Sequence, residues 1–129
     1  MRGGTPAVLI GDRYLAFFHS DKAMATVQSG GKMMNHYLMG AYTFDANPPY
    51  ALMGASPEPL VAETFYEGPM YNTWKPLREI FPMGIIVKND IAWVSYGRQD
   101  HEIWVAKIDL KGLINSLVPV NTVDTTSAP

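Results

Sequence analysis

Apolar positions along this chain fall in short runs separated by polar or Gly/Pro-containing turns, the pattern of β-strands rather than of long helices. The clearest stretch is Ile80–Asp109. Gly84–Val87 is a short apolar run, and Lys88-Asn89-Asp90 is a turn, because Asn and Asp tolerate left-handed backbone angles. Ile91–Gly97 is rich in β-branched and aromatic residues, which suit a pleated surface. Arg98–His101 is a second polar turn, and Glu102–Asp109 is a third strand. The spacing predicts an antiparallel meander of three strands. At its second turn a cation, a carboxylate and an imidazole fall within four residues.

The N-terminal part predicts a hairpin: Ala7–Ile10, a Gly11-Asp12-Arg13 turn, then Tyr14–Ser20. Asp21–Met34, with Ser29-Gly30-Gly31-Lys32 inside it, reads as a long loop with room for one helical turn. Asn35–Asp45 reads as a long strand, ended by Pro48 and Pro49, which cannot donate to a ladder. Tyr50–Ser56 reads as an edge strand. Leu60–Glu79 reads as an irregular crossing segment. Leu110, Leu113, Ile114 and Leu117 are at helical spacing and predict a short C-terminal helix. Residues 118–129 lack apolar content and read as a disordered tail, leaving residues 1–117 as the folded domain. The expected fold is all-β. Antiparallel meanders form about two β-propeller-like blades, with a β-sandwich as the alternative.

Composition narrows the function. A net charge of −2 gives no electrostatic case for nucleic acid or an anionic membrane. The absence of cysteine excludes disulfides and thiolate chemistry, and three histidines without cysteine do not suggest a metal site. No apolar run approaches the length of a bilayer span, and no apolar run near the start reads as a signal peptide, so a cytoplasmic location is expected. No phosphate-binding loop, dinucleotide fingerprint or nucleophile elbow is present.

Six segments occur in a suggestive order. They are Gly4–Pro6, Phe18-His19-Ser20, Tyr37-Leu38-Met39-Gly40 with Phe44-Asp45, Glu58-Pro59, Phe81-Pro82-Met83-Gly84 and Tyr96-Gly97-Arg98-Gln99-Asp100. Together they resemble the C-terminal half of the five-bladed β-propeller family of β-mannoside phosphorylases and mannosidases, glycoside hydrolase family 130. The resemblance extends to about Leu117. Ser20 departs from the family's glycine after the histidine, and His101 is unusual after the aspartate. The family's general acid is an aspartate of the N-terminal blades, with no counterpart here.

The resemblance implies a carbohydrate-active protein acting on mannoside-type sugars, catalytically incomplete alone. It needs no cofactor, although inorganic phosphate is an expected co-substrate. It implies that His19 helps to bind phosphate and that Asp100 accepts from sugar hydroxyls. An imidazole is a donor that charges near neutral pH, and a carboxylate accepts bidentately from a vicinal diol. The alternatives are a histidine satisfied within the sheet and a turn-capping aspartate. Arg98 and His101 flank Asp100 as anion binders, and Arg2 is a further candidate against a simply solvated N-terminal arginine. Trp74 is the candidate for stacking on a sugar, whereas Trp93 and Trp104 lie in strands and read as core. Glu58 and Glu67 form the one candidate carboxylate pair for hydrolysis, although the resemblance makes the Glu58-Pro59 segment structural. Two blades cannot close a ring, so a homo-oligomer or a place within a larger chain is expected. The competing reading is a non-catalytic glycan-binding or structural oligomerisation module.

Overall fold

The computed structural model describes residues 1–27, 29–66 and 79–120. It is all-β, with one short helix, in two antiparallel sheets. The first sheet is built on a long hairpin of β3 (Arg13–Ala25) and β4 (Met33–Asp45), paired without a break from Arg13↔Asp45 to Ala25↔Met33. Two short strands share one edge of β3: β1 (Arg2–Gly3) beside His19 and Phe18, and β2 (Val8–Ile10) beside Leu15, Tyr14 and Arg13. On the other side β4 pairs with β5 (Leu52–Ala55). The second sheet is the expected meander, β6 (Ile80–Lys88), β7 (Ile91–Arg98) and β8 (Glu102–Asp109). Asn89 and Asp90 both take left-handed angles in its first turn. Helix α1 (Leu110–Ser116) follows, capped by the Asp109 carboxylate, which accepts from the Gly112 N–H.

Two sequence expectations are corrected. Residues 21–25 and 33–34 are strand, so the predicted loop shrinks to a turn. Their polar and low-propensity side chains hide this, but two contacts fix it. The buried His36 ring places Nε2 3.1 Å from the Met24 carbonyl across the hairpin. Gly30 and Gly31 take the left-handed angles the turn requires. Ser29, also buried, accepts from the Thr26 N–H and donates from its hydroxyl within the same turn. The second correction is at the C-terminus. Val118–Pro119 is not tail but strand β9, paired with Ala55 and Gly54 of β5. The remainder of the predicted tail, 121–129, lies outside the described residues.

The core lies between the sheets. The odd-numbered face of the long hairpin supplies Leu15, Phe17, Met39 and Ala41. The second sheet supplies Ile80, Val94, Tyr96 and Ala106, and α1 supplies Leu113. The Gly4-Thr5 segment is locked onto β3. The Thr5 N–H donates to the Phe17 carbonyl, and the Phe17 N–H donates to Thr5 Oγ1. A side chain at Gly4 would stand 2.6 Å from the Phe17 carbonyl oxygen, so close approach demands glycine there.

Candidate functional site

The two sheets meet at one corner, and three of the candidate residues, Arg2, His19 and Asp100, lie there. Arg2 lies directly across the ladder from His19, which lies across from Met39. Direct partners in an antiparallel pair project from the same face, so Arg2, His19 and Met39 share the face turned toward the second sheet. The next same-face pair along the hairpin is Asp21 and Tyr37. Phe81 of β6 reaches this row: its ring meets the His19 ring edge-on at 5.0 Å and the Tyr37 ring at 5.6 Å. The backbone of Tyr37 forms a parallel bridge with Glu79, immediately before β6.

Glu79 carries the corner over to the second turn of the meander. The Gln99 N–H donates to the Glu79 carbonyl at 2.9 Å, and the Glu79 N–H donates to Gln99 Oε1. Gln99 and Asp100 both take left-handed angles, closed by the His101 N–H donating to the Arg98 carbonyl. This turn, tied to Glu79 through Gln99, brings the Asp100 carboxylate close enough to act on the Glu79 carboxyl. Partial burial, and then the negative charge and hydrogen bond of Asp100, push the Glu79 carboxyl above the ordinary glutamate range. Glu79 therefore keeps its proton to higher pH than an isolated glutamate.

The other candidates are placed differently. Arg98 is on the covered face of β7, with only 3% of its side chain exposed, and its Nη1 donates to Glu102 Oε2 at 2.7 Å. The same oxygen accepts from Trp104 Nε1, and the guanidinium lies 5.9 Å from the Trp104 ring centre. Arg98 thus braces the strand ends. His101 is exposed. Trp104 is half-buried against the core, as expected. Trp93 is instead on the outer face of the second sheet, with Lys107 Nζ 5.8 Å from its ring centre. Glu58 forms a solvent-exposed ion pair with Lys22 beside a hollow of about 250 Å³ lined by Phe18, Leu38 and Gly40. Its proposed partner Glu67, like Trp74, lies outside the described residues. Among the described residues no group of three metal-ligating side chains converges, and no helix is long and apolar enough to cross a membrane.

Sequence reasoning missed Glu79, Tyr37 and Asp21 as members of this corner. For Glu79 a signal existed. Counting back from the two-residue Asn89-Asp90 turn brings the start of β6 opposite the Arg98–His101 turn, and a bulge between Pro82 and Gly84 shifts that pairing by one residue. Searches with the sequence and the structure against family models, curated proteins and solved structures gave no match.

Proposed function

We propose that the corner joining the two sheets is a carbohydrate-binding site for mannoside-type sugars. In this reading Arg2 and His19 donate to phosphate or to sugar oxygens, and Asp100 with Glu79 accepts from hydroxyls. The observation that carries it is continuity. His19 and Asp100, far apart in the chain, are linked through Phe81, Tyr37 and Glu79 in an unbroken run of contacts. Convergent polar groups beside aromatic rings suit a ligand that offers both hydroxyls and apolar ring faces. The resemblance to mannoside phosphorylases supports the same choice of sugar.

The test is titration of the chain with mannose and β-linked mannobiose, with and without inorganic phosphate, followed by calorimetry and amide chemical shifts. Binding is expected to perturb β1, the end of β3, and the 79–81 and 99–101 segments. His19→Ala and Asp100→Asn are each expected to weaken it about tenfold or more, the effect of one charge-assisted hydrogen bond. Binding unchanged by both substitutions, or no binding to either sugar, overturns the reading.

A second reading, glycoside cleavage, is favoured by the carboxyl pair. A carboxyl that holds its proton above the ordinary glutamate range is better suited to protonate a glycosidic oxygen. Turnover of an aryl β-mannoside, lowered by Glu79→Gln by far more than the substitution weakens sugar binding, is the expected sign. Binding without turnover leaves the binding module as the function.

A further inference from the structure

A hollow of about 680 Å³ opens between β2, β6 and α1. It lies away from the corner of His19, Phe81 and Glu79, because Arg13 precedes His19 along β3 and Val87 follows Phe81 along β6. Its volume is within the roughly 300–1,000 Å³ of small-molecule sites. Both elements that flank it are short: β2 has three residues and α1 has seven. Val8 and Ile10 of β2, Val87 of β6, and Leu110 and Ile114 of α1 supply apolar walls, and each of these side chains is only partly covered.

The polar groups at this hollow have one sign of charge. Among the described residues Arg13, Lys111 and Asn115 line it, and no carboxylate does. Arg13 donates from Nε to the exposed Asp12 carboxylate at 3.0 Å. Its two Nη groups make no hydrogen bond to the described residues, and Lys111 takes part in no ion pair among them. Arg13 and Ile114 also line a smaller hollow of about 150 Å³ beside Val118 and Pro119, so the guanidinium borders both spaces.

We infer that this hollow binds a small amphipathic carboxylate, an organic acid whose apolar chain or ring lies against the aliphatic walls and whose head group is held by Arg13 and Lys111. The argument is complementarity of two kinds. A guanidinium presents parallel N–H groups that match the two oxygens of a carboxylate, and an ammonium adds a point charge. A wholly hydrophilic anion would leave the walls in water, whereas an apolar body removes them from it. A neutral apolar molecule would cover the walls and leave both cations unmatched. The inference does not rest on the sugar reading of the corner.

The test is calorimetric titration of the full chain with octanoate and phenylbutyrate, each beside its neutral primary amide, with amide chemical shifts to locate the site. Saturable binding of at least one acid is expected, with shifts concentrated at residues 8–13, 87 and 110–115. The matching amide is expected to bind about tenfold more weakly, the loss of a charge-assisted pair. Lys111→Glu and Arg13→Gln are each expected to weaken the acid about tenfold and to leave the amide unchanged. Lys111 is exposed, so its replacement tests the head-group contact even if Arg13→Gln disturbs the β2–β3 turn. Circular dichroism checks the fold of both variants. Absence of saturable binding by either acid overturns the inference, as do equal affinities for acid and amide. Shifts confined to the corner, or acid affinity indifferent to Lys111→Glu, overturn it as well. Inorganic phosphate binding as tightly as the acids would show a simple anion site and would also overturn it.

Discussion

In the first sheet both faces of the long hairpin are occupied. The odd-numbered residues enter the shared core. The other face carries a row of aromatic contacts, Tyr14 against Phe44 at 5.2 Å, Phe44 against Tyr42 at 6.0 Å and Tyr42 against Phe18 at 6.0 Å. In the second sheet only the even-numbered residues of β7 and β8 are covered, and the opposite face leaves Trp93, Ile103 and Val105 to solvent. Burial of apolar area is what stabilises a sheet. The difference thus teaches that the hairpin anchors the molecule, while the meander is held through one face and keeps the other available for contact.

The sharpest way to break that comparison is to truncate one large residue on each side of it. Phe17 is fully buried in the core, and Phe17→Ala is expected to lower unfolding stability by about 4 kcal/mol through lost transfer energy and a residual cavity. Trp93→Ala on the outer face is expected to change it by less than about 1 kcal/mol, as exposed substitutions do. Urea unfolding followed by circular dichroism measures both, and equal losses would refute the asymmetry. A smaller effect is expected where the meander buries a charge. Glu102→Gln removes the carboxylate that accepts from the buried Arg98 guanidinium and is expected to cost about 3 kcal/mol. Replacing both partners by apolar residues of similar size is expected to recover most of the loss. The smallest effect lies at the corner. Because Glu79 holds its proton above the ordinary glutamate range when folded, the native state binds more protons than the unfolded chain over that window. Stability contributed by this group is therefore complete at pH below the unfolded value and falls as pH rises through the folded value. Glu79→Gln is expected to flatten that fall, seen in unfolding midpoints measured across mildly acidic pH.

The meander was legible because its turns are chemically explicit. Asn89-Asp90 and the polar Arg98–His101 run mark where strands end, and the register between them follows. The extension of the long hairpin was not legible. Lys22, Ala23 and Ala25 carry little strand propensity, and the bond from the His36 ring to Met24 is a tertiary fact that local pattern cannot express. The candidate corner was half legible. His19, Arg2 and Asp100 were found by residue type and order, and they do lie at the joined ends of the sheets. Arg98 drew notice for its charge alone, and its burial could be anticipated only by observing that it alternates with Val94 and Tyr96 along β7. Trp93 was misread because an aromatic residue in a strand suggests core, whereas alternation with the buried Ala92 and Val94 assigns it outward.

Strand β9 has a consequence for how the molecule comes apart. The chain leaves the second sheet through α1, and Val118–Pro119 then lies against β5 of the first sheet, where the Val120 N–H donates to the Met53 carbonyl. The last described residues thus tie the final element of one sheet to the edge of the other. The two meanders already share one core, and the strap ties them a second time at the far end of the chain. The strap makes their opening a shared event, so the slowest-exchanging amides of β3 and of β7 should report one common free energy of unfolding.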